Sequence, residues 1–148
     1  MAWDNIMDEF SLVTVKKCLT KQWGTYVERY NALKAEGQRQ YLEDQGYARL
    51  ADLLAHVAAW WQRGMQLIMV YQRDSSFQPP DVDVDAFNAE AVASVRALSE
   101  AEVIAHYEGR RLQMLELVKS LTEVDLMSDP IKRQLSMDVV GHYEEHQI

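Results

Sequence analysis

The stretch YARLADLLAHVAAWWQRGMQLIMVY, residues 47–71, decides the fold class of this chain. Its apolar side chains recur at steps of three and four, which is the spacing of one face of an α-helix. That face consists of Leu50, Leu54, Val57, Trp61, Met65 and Ile68. The stretch therefore predicts one long amphipathic helix, helix two. Polar residues interrupt it too often for one of the roughly 20-residue apolar segments that span a bilayer.

Helical spacing continues before this stretch. Apolar residues from Val15 to Leu33 keep steps of three and four and predict helix one. An earlier start near Asp4 stays open, because the apolar spacing extends back to Trp3. Two glycines bracket a short piece around Gln38–Gln45, where we expect one or two helical turns.

A break and two further helices follow helix two. Consecutive prolines remove backbone donors and favour extended geometry, so we expect an irregular, exposed connection over Asp74–Val82. A shorter helix is predicted over roughly Asp85–Leu98. Ser99 and Glu102 have the spacing of a capping box, which opens a third long helix that extends to about Leu121.

The end of the chain carries one more helix in this interpretation. Pro130 ends the connection after the third long helix, and Ser136 is expected to cap a last helix, Met137–Ile148. No strand-like alternation of useful length is visible. The pattern predicts a single all-α domain over residues 1–148. We expect an antiparallel four-helix bundle with a long crossover and a short extra helix between helices two and three.

Composition excludes several classes of protein. With 148 residues the chain has the length of one domain, and its single cysteine excludes a disulfide scaffold and cysteine-based zinc sites. A formal net charge of -8 argues against nucleic acid as the main partner, because phosphate contacts need a basic surface. No export signal or membrane segment is recognised, so we expect a cytoplasmic protein with no membrane partner. Cys18 is expected in the core.

The histidines carry the chemical information. His142 and His146 are four residues apart, so on a helix they project from one face, which is also the apolar face of the last helix. Two imidazoles one turn apart can share a metal ion. The alternative is a chance pair in a wet groove. His106 has no partner at this spacing and is expected at the surface.

His56 adds to the metal interpretation. It lies at the edge of the apolar stripe of helix two and can face the same interior as the pair. Three histidines with an open fourth position are a common catalytic zinc set, and bundles build such sites from facing helices. Trp60 and Trp61 point about 100° apart on a helix, so one of them is free to line a pocket while the other joins the core, and we assign the pocket role to Trp60.

Three segments resemble a known family. Residues Leu53–Trp61 resemble the second-helix signature of the DinB/YfiT-like superfamily. Asp85–Asn88 and Gly141–His146 are similar to its ClbS/DfsB branch. The resemblance covers most of the chain from about Gly46 onward and implies an up-and-down bundle with a long crossover after helix two.

The resemblance also implies a chemistry. In metal-binding relatives one histidine of helix two and an H-x-x-x-H pair of the last helix hold nickel or zinc, and these positions match His56, His142 and His146. Characterised relatives include thiol-dependent transferases and isomerases, and a hydrolase that opens a cyclopropane electrophile and so protects its producer. Many members have no known activity. Together with an excess of aromatic residues on helices one and two, the resemblance also predicts a homodimer.

Two functions stay open at this point. The first is a metal-dependent enzyme, a hydrolase or thiol transferase, that acts on a small electrophilic substrate entering beside Trp60. The second is a metal-free protein that binds a small apolar compound, in which the histidines only hydrogen-bond. The sequence favours the enzyme slightly, mainly through the resemblance. It identifies neither catalytic residues nor a thiol cofactor.

Overall fold

The computed structural model describes residues 10–148, which form helices joined by turns and irregular connections, with no strand among them. The helices are α1 (Leu12–Lys17), α2 (Tyr26–Ala32), α3 (Ala35–Gln45), α4 (Leu50–Arg73), α5 (Val84–Ser94), α6 (Glu100–Ser120), α7 (Asp129–Leu135) and α8 (His142–His146). The all-α prediction is confirmed over this part of the chain. The proposed early start of helix one near Asp4 lies outside the described residues.

Helix one is less regular than its apolar spacing predicts. A π-helical segment, Cys18–Gln22, continues α1, and a turn at residues 23–25 separates it from α2. The prediction of one continuous helix is therefore wrong. The apolar spacing still identifies core residues, because Trp23 in the turn and Tyr26 at the start of α2 are both buried.

The central helices follow the prediction, except that α5 ends at Ser94 and not near Leu98. α4 has its expected apolar face buried, and the connection after it is irregular and mostly exposed, as expected for Asp74–Val82. The side chain of Asp83 caps α5, and Ser99 with Glu102 forms the predicted capping box of α6. α3 is longer than predicted: it starts at Ala35 and ends at Gln45, and the residue that caps it, Gly46, has a φ of 82° that suits glycine.

The last helix begins earlier than predicted. α7 starts at Asp129 with Pro130 in its first turn, where the missing proline donor costs nothing. The helical run then continues through a π-helical segment, Ser136–Gly141, into α8. Ser136 is buried inside this run and caps nothing, so the predicted start at Met137 is wrong.

α4 lies at the centre of the packing. It contacts α5, α6, α7 and the segment Ser136–Gly141, while α6 also packs on α1 and on Cys18–Gln22. Three fully buried aromatic rings join these layers. Trp61 lies edge-on to Trp23 at 5.2 Å and stacks on Tyr107 at 5.5 Å, and the Tyr107 hydroxyl donates to the Trp23 carbonyl over 2.7 Å. No helix among the described residues is long and apolar enough to cross a membrane.

Candidate functional site

The structure brings His56, His142 and His146 together. The ring centroid of His56 lies 5.3 Å from that of His142 and 5.3 Å from that of His146, and the latter two are 5.9 Å apart. His56 and His146 are 6% and 7% exposed, while His142 is partly buried. The three rings thus lie together inside the protein, as the helix faces predicted.

Two of the rings point a nitrogen at each other. Nε2 of His56 and Nε2 of His146 are 3.3 Å apart. Their other nitrogens are held from outside: Nδ1 of His56 lies 2.7 Å from Oδ1 of Asn88, and Nδ1 of His146 lies 2.6 Å from Oε1 of Gln45. Each ring is therefore oriented by an amide oxygen of a neighbouring helix.

The tautomer of His56 follows from a third contact. The indole Nε1 of Trp60 also points at Oδ1 of Asn88, over 2.7 Å. An indole N–H can only donate, so this atom of Asn88 is the amide oxygen and not the amide nitrogen. Nδ1 of His56 must then carry a proton that it donates to the same oxygen. Nε2 of neutral His56 is left with a lone pair.

The same chemistry applies to His146. If its Nδ1 donates to Oε1 of Gln45, its Nε2 also carries a lone pair, directed at Nε2 of His56. Two lone pairs 3.3 Å apart repel one another unless a positive charge lies between them. A proton is one solution: on a neutral His146 it moves from Nδ1 to Nε2 and the Gln45 amide must turn to donate, whereas on a doubly protonated His146 the Gln45 bond stays as it is. A metal cation is the other, and it keeps all hydrogen bonds as they are.

Two of the three histidines, His56 and His146, match a metal ion by donor type and by the separation of their nitrogens. Two nitrogens bound at about 2.1 Å to a tetrahedral zinc ion are roughly 3.4 Å apart, close to the separation seen here. The buried Nδ1 of His142 has no hydrogen-bond partner among the described residues. The third ligand is not in place: within residues 10–148 no group of three or more His, Cys, Asp or Glu side chains has metal-binding geometry.

Burial keeps the three rings neutral. It lowers the pKa of His142 to about 3, with the neighbouring His56 and His146 lowering it further, and lowers the pKa of His146 to about 4, with a smaller effect of His56. The pKa of His56 is also lowered by burial, against an opposing effect of the Asn88 hydrogen bond. Neutral imidazole is the form that binds metals, so burial leaves the three rings in the protonation state that metal binding requires.

The backbone of α8, like the ring of His146, is held by hydrogen bonds from neighbouring helices. The hydroxyls of Tyr26 and Tyr41 both donate to the carbonyl of His146, over 2.8 and 2.6 Å, and they also contact each other. Tyr41 and Gln45 are one turn apart on α3, so one face of α3 holds both the backbone and the ring of His146.

Sequence reasoning found the histidines and missed the amides. Gln45 ends α3 beside a glycine, and nothing in its surroundings marks it. Asn88 lies in one of the segments that resemble the family, but the sequence analysis assigned it no role. A single amide in the alanine-rich α5 is a signal that could have identified it. Trp60, predicted as a pocket residue, uses its N–H to fix Asn88 and lies 4.2 Å from Phe87 and 6.3 Å from His142, centroid to centroid. Its pocket role stays a prediction.

The remaining candidates behave as expected. His106 is exposed on α6 and takes no part in the histidine cluster. Cys18 is buried, and burial, with a smaller effect of Glu144, raises the pKa of its thiol to about 12. A thiol with that pKa is not a nucleophile at neutral pH.

Comparison of the chain with protein-family models, with curated proteins and with solved structures found no match.

Proposed function

We propose that this protein is a metal-dependent enzyme that acts on a small electrophilic compound, in the manner of the ClbS/DfsB branch of the DinB/YfiT-like superfamily. The observation that carries the proposal is the pair of Nε2 atoms of His56 and His146, 3.3 Å apart, each on a ring whose Nδ1 is bonded to an amide oxygen. The reaction class is hydrolysis or transfer to a thiol.

In this proposal His56, His142 and His146 hold one zinc or nickel ion. When bound, the ion lowers the pKa of a water or thiol in its open position and so supplies a nucleophile at neutral pH. The chain's own contribution is orientation: Asn88 and Gln45 accept the Nδ1 protons and keep both Nε2 lone pairs directed inward. Trp60, whose ring centroid lies 6.3 Å from that of His142, is the proposed wall along which the substrate enters.

The proposed architecture is a four-helix bundle. The packing supports four helical runs: α1 with α2, α4, α6, and α7 with α8. α4 contacts α6 and α7, and α1 contacts α6 and the segment Ser136–Gly141, so neighbouring runs close on one another. A cytoplasmic location and a homodimer belong to the same proposal. Light scattering that gives only a 17.1 kDa species at high concentration would contradict the dimer.

The experiment begins with protein purified without an affinity tag and loaded with zinc or nickel. It is incubated with small electrophiles, an epoxide and an activated cyclopropane, with and without added thiol, and the products are followed by mass spectrometry. We expect turnover of at least one electrophile above the rate without protein. The metal-loaded His142→Ala variant should lose it, and His106→Ala, which removes an exposed imidazole, should keep it.

The outcomes separate the two functions. Metal uptake with turnover that disappears in His142→Ala supports the enzyme. A protein that takes up no metal, yet retains an electrophile unchanged in equilibrium dialysis, is a metal-free binding protein, and the enzyme proposal is then wrong. Equal turnover by His142→Ala and the unmodified protein would place the chemistry elsewhere in the chain.

A further inference from the structure

A cavity of 240 Å³ lies between α4, α5 and α6, and its lining includes none of the three clustered histidines. Its floor consists of Ala55, Ala58 and Ala59 of α4. At 100° per residue these alanines are centred about a third of a turn around α4 from His56. The cavity therefore belongs to a different face of α4 from the candidate metal site.

The cavity has an apolar interior and a basic rim. Val95, Leu98 and Val103 add apolar walls to the alanine floor. The polar lining residues are Gln62, Ser94, His106 and Arg110, and none of the lining residues within 10–148 is acidic. Nη1 of Arg110 donates to Oε1 of Gln113 over 2.8 Å, and Arg110 makes no ion pair with an acidic side chain of residues 10–148. In a chain of net charge -8, this cation is available to an outside anion.

We propose that this cavity binds a small monocarboxylate with an apolar body. The planar guanidinium of Arg110 matches the two oxygens of a carboxylate, and His106 stands one turn before it as a second donor. The apolar body lies on the alanine floor. Since drug-sized ligands occupy about 300–1,000 Å³, the ligand has on the order of ten non-hydrogen atoms.

A second cavity adjoins the first and differs from it in the chemistry of its lining. This cavity of 410 Å³ shares Ala59, Gln62 and Ser94 with the first. It is lined by both Arg63 and Glu90, whose charges offset each other. Its mostly polar lining does not suit an apolar chain, so the ligand is confined to the first cavity.

Hexanoate is the probe, with 1-hexanol and hexylamine as neutral and cationic controls of equal chain length. Binding is followed by the NMR signals of the His106 ring, which are assigned by their loss in His106→Ala. We expect a saturable shift with hexanoate, and at least about tenfold weaker binding of both controls, because a charged hydrogen bond contributes about 1.5–3 kcal/mol. Equal binding of hexanoate and 1-hexanol would overturn the assignment to an anion.

Matched variants locate the site. Arg110→Gln should weaken hexanoate binding by roughly 10–100-fold, while Arg133→Gln, the same change at an exposed position of α7, should not. Ala58→Leu fills the cavity from a partly exposed position and should also abolish binding; its melting temperature shows that it folds. Unchanged hexanoate binding in Arg110→Gln or in Ala58→Leu would overturn the proposal.

Two further results distinguish this cavity from the histidine cluster and from a contact between two copies of the chain. His142→Ala should bind hexanoate normally, so the carboxylate site stands even if the metal proposal fails. Loss of binding in His142→Ala with retention in Arg110→Gln would place the carboxylate at the histidine cluster and overturn the proposal. If the His106 signals shift on dilution of the protein alone and do not respond to hexanoate, the occupant is a second copy of the chain, which also overturns it.

Discussion

A single oxygen atom of Asn88 sets the tautomer of His56. It accepts from Trp60 Nε1 and from His56 Nδ1, each over 2.7 Å. The indole cannot accept, so the amide cannot turn without placing two donors face to face. Asn88 thereby directs the lone pair of His56 toward His146, although the amide itself lies outside the cluster.

Removing this oxygen should weaken metal binding without removing a ligand. We expect Asn88→Ala to lower zinc affinity about 10–100-fold, the usual effect of losing a hydrogen bond to a ligating imidazole. Asn31→Ala, which changes an exposed asparagine of α2, is the control and should bind zinc normally. Competition with a chelating dye measures both affinities. Equal affinities would mean that Asn88 does not orient His56 for metal.

Asp138 is a second residue whose protonation is set by its surroundings. It is 4% exposed inside the segment Ser136–Gly141, and its Oδ2 accepts from Nε2 of Gln134 over 2.8 Å. Burial raises the pKa of this carboxyl from 3.8 to about 7, against smaller opposing effects of the Gln134 hydrogen bond and the Arg63 charge. The folded protein therefore holds a proton here that the unfolded chain has released.

This proton makes stability depend on pH in a definite direction. Between about pH 4 and pH 7 the folded state binds more protons at Asp138 than the unfolded state, so this carboxyl lowers the free energy of unfolding as pH rises. The Asp138→Asn variant has no carboxyl at this position, so its free energy of unfolding does not fall with pH for this reason. Its stability relative to the unmodified protein should increase from about pH 4 to about pH 7 by up to about 4 kcal/mol and then level off.

Urea unfolding at several pH values measures this difference. The buried histidines titrate in both proteins, so their opposite effect on stability cancels in the comparison. Asp129→Asn, which removes an exposed carboxylate of α7, is the control for the loss of a carboxylate at the surface. A pH-independent difference between Asp138→Asn and the unmodified protein would show that the buried carboxyl does not titrate in this range.

At the scale of elements, the last helical run is shaped by its neighbours. Two buried indoles donate to carbonyls of the segment Ser136–Gly141: Trp61 Nε1 to Asp138 over 2.8 Å and Trp23 Nε1 to Val139 over 2.9 Å. These bonds tie the segment to α4 and to the turn after Cys18–Gln22. The wider π-helical turn thus has tertiary partners immediately before His142, and such turns are frequent at functional sites.

Gly64 lets α4 approach this segment closely. A Cβ at Gly64 would lie 1.9 Å from Oδ2 of Asp138, so either the backbone or the buried carboxyl must move and lose its Gln134 bond. We expect Gly64→Ala to destabilise the protein by about 1–3 kcal/mol. Gly109→Ala, in the middle of α6 with nothing within 4 Å of the new Cβ, should stabilise it by up to about 1 kcal/mol. Thermal unfolding of both variants checks the opposite signs.

The sequence predicted the elements that depend on local rules. Apolar spacing located α4 and α6, the capping box located the start of α6, and two prolines located the break after α4. The i, i+4 spacing of His142 and His146 placed them on one face because α8 is a regular helix. Each of these features follows from residues within one or two helical turns.

The features that the sequence did not predict depend on contacts between distant residues. Nothing near Ser136 favours π-helical over α-helical bonds; the indoles of Trp23 and Trp61 supply the reason from far away in the chain. Gln45 and Asn88 likewise gain their meaning only when α3 and α5 dock beside the histidines. A periodicity of apolar residues records which side is buried, but not which polar atoms meet there.

At the scale of the whole molecule, the candidate site ties the chain together. His56 and His146 are 90 residues apart in sequence, and the two amides come from α3 and α5. The hydroxyls of Tyr26 and Tyr41 add a further link to the carbonyl of His146. A cation bound here would join α4 to α8, and the unfolded chain offers no such preformed site. Metal binding should therefore raise the stability of the entire fold.

The size of this effect follows from linkage. A ligand that binds only the folded state at about 100 times its dissociation constant adds about 2.7 kcal/mol to the free energy of unfolding. At roughly 2–4 °C per kcal/mol for a protein of this size, zinc or nickel should raise the melting temperature by about 5–10 °C. His142→Ala should abolish the rise and His106→Ala should preserve it, because only the first removes a ring from the cluster. Magnesium, which prefers oxygen ligands, should have no effect on any of the three proteins. A melting temperature that does not respond to zinc or nickel would mean that the facing nitrogens of His56 and His146 share a proton, and the metal proposal would then be wrong.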